Sequence, residues 1–262
     1  MMRDVLVRPV AVRLTPMSAD EVAGLLVDKP VDQTTLVLNH NLHSLYLFHS
    51  LGWFRDFYSR AGIILVDGWP VLRLLRLSGH GRFDHTHRIG STDWLETLIR
   101  TPKREDFRVF VLGGTDETVQ RACATLQSGP AGMVAAGRSG YFDPLTESGS
   151  VLDDIRKFRP HLLLVGMGMP RQERFIQDHF DALPACYVAT VGGAIDYLAG
   201  TQRLAPRWFG RFGVEWLWRL GNDPRRLWHR YLVEPIKLAA IVIANRSLKR
   251  GAWGEVGSDG DR

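Results

Sequence analysis

One stretch, RPHLLLVGMGMPRQERFIQDH at residues 159–179, constrains the fold more than any other part of the sequence. Its apolar run HLLLV is typical of a strand that is buried on both faces of a parallel sheet. Gly166 and Gly168 predict a tight turn after this strand, and Pro170 is suited to the start of a helix. The first amide groups of a helix have no intrahelical partner and attract anions, above all phosphates. The stretch therefore predicts a strand, a glycine turn and a helix N-terminus.

The polarity of the first helical turn decides how this glycine turn is interpreted. Glycines also occur in ordinary strand-to-helix turns that bind nothing. Gln172 and Glu173, however, fall in the first turn of the predicted helix, where we expect their side chains to face the mouth of a crevice. These two residues favour a ligand site over a purely structural turn.

Strand-like and helix-like segments alternate along the chain. The apolar runs at 34–39 and 108–114 each precede a segment with helical periodicity, and the first of them leads into one helical stretch at 42–60. This alternation predicts an α/β fold with a doubly wound, mostly parallel, Rossmann-like sheet.

Polar or glycine-rich groups follow five of the predicted strands. Ligands of doubly wound sheets bind beyond the carboxyl ends of the strands, so a single crevice would bring these groups together. They are Asn39, Asp67 with Gly68, Gly113 with Gly114, the segment 166–172, and Gly192 with Gly193 and Asp196. The turns at 113–114 and 166–168 precede helices and are suited to phosphate oxygens, which indicates a nucleotide ligand.

The sequence lacks the signatures of several other protein classes. No G-x-G-x-x-G opens a helix, since Arg171 stands where the third glycine would fall, and no G-x-x-x-x-G-K-[ST] occurs. The nine His are scattered, so we expect neither a resident metal nor a cofactor. The chain has two Cys, no signal peptide and no apolar stretch of the roughly 18 residues that a membrane span needs. We therefore expect a reducing, cytoplasmic location.

The positive charge is concentrated near the end of the chain. Residues 201–250 hold 11 Lys or Arg against three acids, and the segment between Arg203 and Tyr231 holds four of the eight Trp. Such a composition suits an anionic lipid surface, although a packed helical appendage or a nucleic-acid contact would also use it; no nucleic-acid motif accompanies it. We expect a core at 1–200, a helical membrane-docking appendage at 201–250 and a disordered tail at 251–262.

Eight sequence blocks, taken together, resemble one known family. VDGWP, RIGSTDW, VFVLGG, SGYF, RPHLLLVGMGMPRQERF, VGGAIDYLAG, APRWFGRFGVEWLWRL and DPRRLWHRYL occur in one order between about Val10 and Leu232. They look like the blocks of the WecG/TagA/CpsF glycosyltransferases, glycosyltransferase family 26. The order and spacing of eight blocks are far more specific than any single glycine pair.

The resemblance implies an activity and a location. Members of this family transfer a sugar, typically N-acetylmannosamine, from a UDP donor to a saccharide on an undecaprenyl diphosphate carrier. They invert the anomeric carbon, need no metal, and act peripherally on the inner face of the bacterial plasma membrane in the synthesis of cell-surface polysaccharide. Partners implied here are therefore a UDP-sugar, a lipid-diphosphate-linked saccharide and an anionic membrane surface, with no nucleic acid; the resemblance leaves a homo-oligomer open.

The resemblance also implies catalytic roles. Asp67 matches the aspartate regarded as the family's catalytic base, which would take a proton from the acceptor hydroxyl. Arg88 matches an arginine that would neutralise the leaving diphosphate, and Gln172 a polar residue that would hydrogen-bond sugar hydroxyls. A turn aspartate, a loop arginine and a solvated glutamine are the simpler interpretations of the same residues.

Two further sets of residues follow from the same blocks. The substrate-binding set consists of Asn39, Gly68, Gly113, Gly114, Tyr141, Gly166, Gly168, Pro170, Glu173, Gly192, Gly193 and Asp196. Asp196 would bind ribose or uracil, although a helix-capping role explains it nearly as well. The set for the membrane or the diphosphate consists of Arg207, Arg211, Arg219, Arg225 and Arg226.

The chain departs from the family pattern around the sugar site. Val37 replaces a frequent threonine, Ser91 replaces a usual glycine, and Trp69 with Pro70 follows the Asp-Gly pair. Another UDP-hexose such as UDP-glucose is therefore an alternative donor. A nucleotide-binding membrane adaptor without catalytic activity is the alternative from a different class, and Asp67 separates it from an enzyme.

Overall fold

The structure is organised around one parallel sheet. The computed structural model describes residues 4–101, 106–130, 132–202, 220–221 and 224–253. The strands are β1 (Val5–Val7), β2 (Val12–Leu14), β3 (Thr35–His40), β4 (Ile63–Val66), β5 (Arg108–Gly113), β6 (Val134–Arg138), β7 (Leu162–Gly166) and β8 (Tyr187–Thr190). The α-helices are α1 (Ala19–Asp28), α2 (Leu42–Ser50), α3 (Gly52–Ser59), α4 (Trp69–Leu77), α5 (Ser91–Arg100), α6 (Asp116–Ser128), α7 (Ser148–Phe158), α8 (Arg171–His179), α9 (Ala194–Leu198), α10 (Pro224–Trp228) and α11 (Glu234–Trp253).

Within the described residues the main sheet contains six strands, all parallel, in the order β4-β3-β8-β7-β5-β6. Its central strand β7 carries Leu162, Leu163, Leu164 and Val165, none of which is exposed to solvent. A strand that is apolar on both faces requires helices on both sides of the sheet. The predicted α/β class with a doubly wound, parallel, Rossmann-like sheet and a C-terminal helical appendage is confirmed.

Two helical layers cover the sheet. The first layer contains α2, α3, α4, α7, α8 and α11, whose buried side chains form one apolar cluster with the β1–β2 hairpin. The second layer contains α1, α5, α6 and α9, whose side chains form a separate cluster. The helices that follow β8, β7 and β5 therefore alternate between the two layers, and an alternation of this kind opens a crevice at the carboxyl ends of the strands.

The hairpin of β1 and β2 lies against the outer side of β4. Val5 pairs with Leu14 in antiparallel register. Beyond β2, the Thr15 amide donates to the Ile64 carbonyl at 2.6 Å, and the Ile64 amide donates to the Thr15 hydroxyl at 3.2 Å. The chain thus returns to the sheet edge before it enters α1.

The stretch 42–60, predicted as one helix, is two helices. Leu51 has an extended backbone, with φ −122° and ψ 114°, and its amide donates to the Leu47 carbonyl to end α2. Gly52, a poor helix former, then begins α3. The break lets α3 turn Phe54, Phe57 and Tyr58 into the apolar core, where each is at most 2% exposed.

The described part of the C-terminal segment packs on α2. A π-helical turn, His229–Val233, connects α10 to α11. Leu238 and Val242 of α11 belong to the first apolar cluster and are at most 9% exposed. Helix α11 continues through Trp253, so its last residues fall within the segment expected to be a disordered tail.

No helix in the described ranges has both the length and the apolarity that a bilayer crossing requires. The predicted membrane-contacting residues Arg207, Arg211 and Arg219 lie outside the described residues, as do residues 254–262 of the predicted tail. Arg225 is exposed on α10, and Arg226 belongs to the same helix.

Candidate active site

Asp67 follows β4 at the carboxyl edge of the sheet, where its half-buried carboxylate is held by two amides. The Nδ2 groups of Asn39 and Asn41 both donate to Asp67 Oδ2, at 3.0 and 3.1 Å. No side chain or amide in the described ranges hydrogen-bonds the other carboxylate oxygen, Oδ1. The carboxylate is therefore fixed in orientation through one oxygen while the second stays available to a proton donor.

The two asparagines that hold Asp67 are themselves positioned by β3 and α2. Asn39 is 9% exposed at the end of β3, and its carbonyl accepts a hydrogen bond of 2.9 Å from Tyr58. Asn41 is the N-cap of α2, where its Oδ1 accepts from the Ser44 amide at 3.0 Å. Its two side-chain groups thus bind the start of the helix and Asp67 at the same time.

His40, between these asparagines, is buried and neutral. Its ring stacks on Tyr58 with 4.4 Å between centroids, and its Nδ1 lies 3.0 Å from the Ser44 hydroxyl. Burial, with a smaller contribution from the charge of His49, lowers the pKa of His40 to about 3. The neutral imidazole therefore contacts Tyr58 and Ser44 without adding a positive charge close to the Asp67 carboxylate.

Arg88 lies on the same side of the crevice as Asp67. The Ile89 amide donates to the Val66 carbonyl at 2.9 Å, which ties the segment after residue 88 to the end of β4. The Arg88 guanidinium lies over the Trp69 indole, 5.2 Å from the ring centroid. The planar guanidinium of an arginine binds phosphate oxygens through parallel N–H groups, which suits Arg88 to a diphosphate.

Three glycine turns form the other side of the crevice. Gly113 pairs with Gly166 across β5 and β7. A Cβ on Gly166 would lie 2.5 Å from the Gly192 carbonyl oxygen and closer still to the Ile195 side chain. Gly114 and Gly192 have φ of +66° and +51°, a conformation that side chains other than glycine disfavour. These turns therefore bring three strand ends into direct backbone contact.

Gln172 and Glu173 begin α8, and both are buried, at 1% and 0% exposure. The Gln172 side chain accepts from the Gly192 amide at 3.2 Å and donates to Glu173 Oε1 at 2.7 Å. The expectation that both side chains open onto the mouth of the crevice is therefore wrong. Gln172 joins the β8 turn to α8, and Glu173 points into the protein.

Glu173 is a buried carboxyl group whose Oε2 has no hydrogen-bond partner among the described residues. Burial raises the pKa of Glu173 to about 7, against smaller opposing effects from the Gln172 hydrogen bond and the positive charge of Arg230. The same carboxylate contributes to the raised pKa of Tyr58, after burial. Glu173 on α8 is therefore close to Tyr58 of α3 and to Arg230 of the π-helical turn.

The remaining predicted residues lie around these groups. Gly68, with φ +85°, is the N-cap of α4, and Pro170 is the N-cap of α8 rather than its first residue. Gly168 has φ +79° in the turn before Pro170. Tyr141 is 74% exposed in the loop after β6, which is bound to the Gly114 carbonyl through the Gly140 amide at 3.0 Å.

Asp196 lies on the first turn of α9, three residues after Gly193. Its carbonyl accepts hydrogen bonds from the amides of Thr201 and Gln202, at 3.0 and 3.2 Å. These bonds end α9. The position is compatible with a ligand contact from the side chain, and it also serves the local structure.

The predicted site residues therefore lie at the carboxyl edge of one sheet, with Asp67, Asn39 and Arg88 at the ends of β3 and β4 and the glycine turns at the ends of β5, β7 and β8. Sequence reasoning missed Asn41 and Tyr58. The N-cap pattern of Asn41 followed three residues later by Ser44 was the available signal for Asn41. Among the described residues, no group of three His, Cys, Asp or Glu side chains could hold a metal ion.

Comparison with known sequences decides the family. Residues 7–252 match the model of the Glycosyl transferase WecG/TagA/CpsF family. The chain belongs to the WecG/TagA/CpsF glycosyltransferases. The predicted family is thus confirmed, and the crevice between Asp67 and the glycine turns is the candidate active site of a glycosyltransferase of this family.

This WecG/TagA/CpsF member is similar to two curated proteins of Staphylococcus aureus, from strains MW2 and NCTC 8325 / PS 47. Each is an N-acetylglucosaminyldiphosphoundecaprenol N-acetyl-beta-D-mannosaminyltransferase. Each is 29% identical to the chain over 195 residues, which is 74% of this chain and 74% of the relative.

Proposed function

We propose that the protein transfers N-acetylmannosamine from a UDP donor to a saccharide linked through a diphosphate to undecaprenol, with inversion and without a metal ion. The acceptor and the sugar are those in the names of the S. aureus relatives. The reaction would take place at the inner face of the plasma membrane. The product would enter the synthesis of a cell-surface polysaccharide.

The observation that carries this proposal is the geometry of Asp67. Two amides hold Oδ2, and Oδ1 accepts no hydrogen bond from the described residues. An inverting transfer needs one base that removes the proton of the acceptor hydroxyl as this hydroxyl attacks the anomeric carbon. A half-buried carboxylate with one fixed and one available oxygen suits that role. The same feature favours an enzyme over a nucleotide-binding adaptor.

The other wall supports the UDP part of the donor. The glycine turns bring backbone amides close to the helix starts at 116 and 171, where phosphate oxygens bind favourably. Arg88, stacked on Trp69, would meet the charge that develops on the leaving diphosphate. Tyr141, exposed beside Gly114, is suited to stack on the uracil ring.

A transfer assay with a panel of UDP-sugars tests the proposal. The acceptor is a short-chain, water-soluble lipid diphosphate that carries N-acetylglucosamine, and each reaction is run with and without EDTA. We expect transfer from UDP-N-acetylmannosamine that EDTA does not reduce. Transfer from UDP-glucose alone would assign the alternative donor, and strict dependence on Mg²⁺ or Mn²⁺ would contradict the metal-independent mechanism.

A further inference from the structure

A buried carboxylate joins the C-terminal segment to α2. Glu234 is the first residue of α11, and its side chain is 8% exposed. His43 Nδ1, on the first turn of α2, lies 2.5 Å from Glu234 Oε2, a distance at which the ring nitrogen donates its proton to the carboxylate. His229 Nδ1 lies 3.5 Å from Oε1. Both oxygens of Glu234 therefore face histidines, one in the core and one in the C-terminal segment.

The surroundings of this contact make it more than a surface ion pair. The His43 side chain is 13% exposed. Burial and the charge of Arg230 lower the pKa of His43, although Glu234 opposes this effect. The His43 ring can donate from Nδ1 whether or not it is charged, so the contact is a buried hydrogen bond to the Glu234 carboxyl group. Removing one partner of such a bond destabilises the fold, because the remaining polar group stays buried without a hydrogen bond.

The start of α2 binds both Glu234 and the candidate base. His43 is two residues beyond Asn41, whose Nδ2 donates to Asp67 at 3.1 Å. The first turn of α2 is therefore held on one side by Glu234 and holds Asp67 on the other. Leu238 and Val242 extend the same contact along α2 through apolar packing.

We propose that Glu234 is a positioning residue for the transfer reaction: by binding His43 it fixes the first turn of α2, and through Asn41 it fixes the orientation of Asp67. The proposal rests on the proposed function for its kinetic consequence. Its structural part, the restraint of α2 by Glu234, stands independently of the substrates. The described contacts of the Glu234 carboxyl group are with His43 and His229 and do not include Asp67, so its effect on the base would pass through α2.

The kinetic arm compares Glu234→Ala, His43→Ala and the double variant, with the water-soluble acceptor so that membrane binding plays no part. We expect each single variant to lower kcat about tenfold or more and to leave KM for the UDP-sugar within about twofold, because a small displacement of a base slows the chemical step. The double variant should be no slower than the slower single variant, since both remove the same bond. Additive effects, or a raised donor KM at unchanged kcat, would overturn the proposal.

The second arm measures hydrogen exchange of the α2 amides and needs no activity. Glu234→Ala, which removes the acceptor, should speed exchange at residues 42–50 and leave β5 and β7 unchanged. Lys237→Ala, an exposed change on the same helix, is the matched control and should leave α2 as in the unmodified protein. Equal α2 exchange in both variants would refute the positioning role whatever the transfer assay shows. Absence of transfer by the unmodified protein, in contrast, would contradict only the proposed function.

Discussion

At the scale of single residues, the carboxylate of Asp67 makes the sharpest prediction. Asp67→Asn keeps the size of the side chain and can still accept hydrogen bonds from Asn39 and Asn41, so the fold and donor binding should persist. Transfer should fall by about a hundredfold or more, because an amide cannot take the acceptor's proton. Isothermal titration with the UDP-sugar, beside a transfer assay, separates the two properties. Transfer close to that of the unmodified protein would exclude Asp67 from the mechanism.

Glu173 predicts a pH dependence of stability. Its pKa rises from 4.5 to about 7 because the folded protein buries it. Between these values the folded state keeps a proton that the unfolded state has lost. Stability contributed by this residue therefore falls as pH rises from about 4.5 to about 7, and the loss is complete above that window.

The test is the melting temperature of Glu173→Gln relative to the unmodified protein at pH 5 and at pH 8. Glutamine stays neutral, so the variant should gain in relative stability at pH 8. Glu117→Gln, which changes an exposed residue paired with Arg121, should show no such shift. A Glu173→Gln difference that is equal at both pH values would mean that Glu173 is already ionised throughout the range.

At the scale of secondary-structure elements, the contact between the β7 and β8 turns is the most sensitive to added volume. Gly166→Ala would place a Cβ 2.5 Å from the Gly192 carbonyl oxygen, so backbone must move. We expect a loss of about 1–3 kcal/mol in the free energy of unfolding, measured by urea titration. Gly149→Ala, in α7 with open space around it, should cost nothing. Equal stability of the two variants would mean that the turns are not packed as described.

The central strands were predictable because each contains an uninterrupted apolar run followed by a polar or glycine residue, as in Leu162–Gly166. The division of the stretch 42–60 was not, since both halves have helical periodicity. The break requires Leu51 to be extended. This conformation is favourable because α3 can then bury Phe54 and Phe57 in the core. Tertiary packing, rather than local propensity, decides such a boundary.

The candidate site was predictable in outline for a similar reason. Asp67, Asn39 and the glycine turns all follow strands, and parallel strands end at one edge of the sheet. The raised pKa of Glu173 was not predictable from α8, because the groups that surround its carboxyl group, Tyr58 and Arg230 among them, are distant in sequence. Asn41 was missed since its role becomes visible only when α2 and β4 are adjacent.

At the scale of the whole molecule, charge is distributed unevenly. Residues 201–250 carry 11 Lys or Arg and three acids, whereas the chain as a whole has a net charge of +5. We expect the protein to bind vesicles rich in anionic lipid and to release them as salt rises, because each basic residue near such a surface contributes about 1 kcal/mol that salt screens. Co-sedimentation with anionic and with neutral vesicles, over a range of salt, measures this.

Two double variants with the same change in net charge locate the contact. Arg225→Glu with Arg226→Glu alters α10 and should abolish binding to anionic vesicles. Arg100→Glu with Arg121→Glu alters α5 and α6 of the second layer and should leave binding nearly unchanged. Binding that does not depend on salt, or equal losses in both variants, would contradict an electrostatic contact through the C-terminal segment.

The return of the chain beside β4 has a consequence for self-association. Strand edges with unpaired backbone groups are templates for strands of other molecules. On the outer side of β4, Thr15 satisfies both the amide and the carbonyl of Ile64, and the Ile89 amide satisfies the carbonyl of Val66. A second copy of the chain therefore cannot lengthen the sheet at this edge. Among the described residues, the opposite edge of the main sheet is β6, where Val134 is 44% exposed, and we expect any lengthening of this sheet by a second copy to occur there.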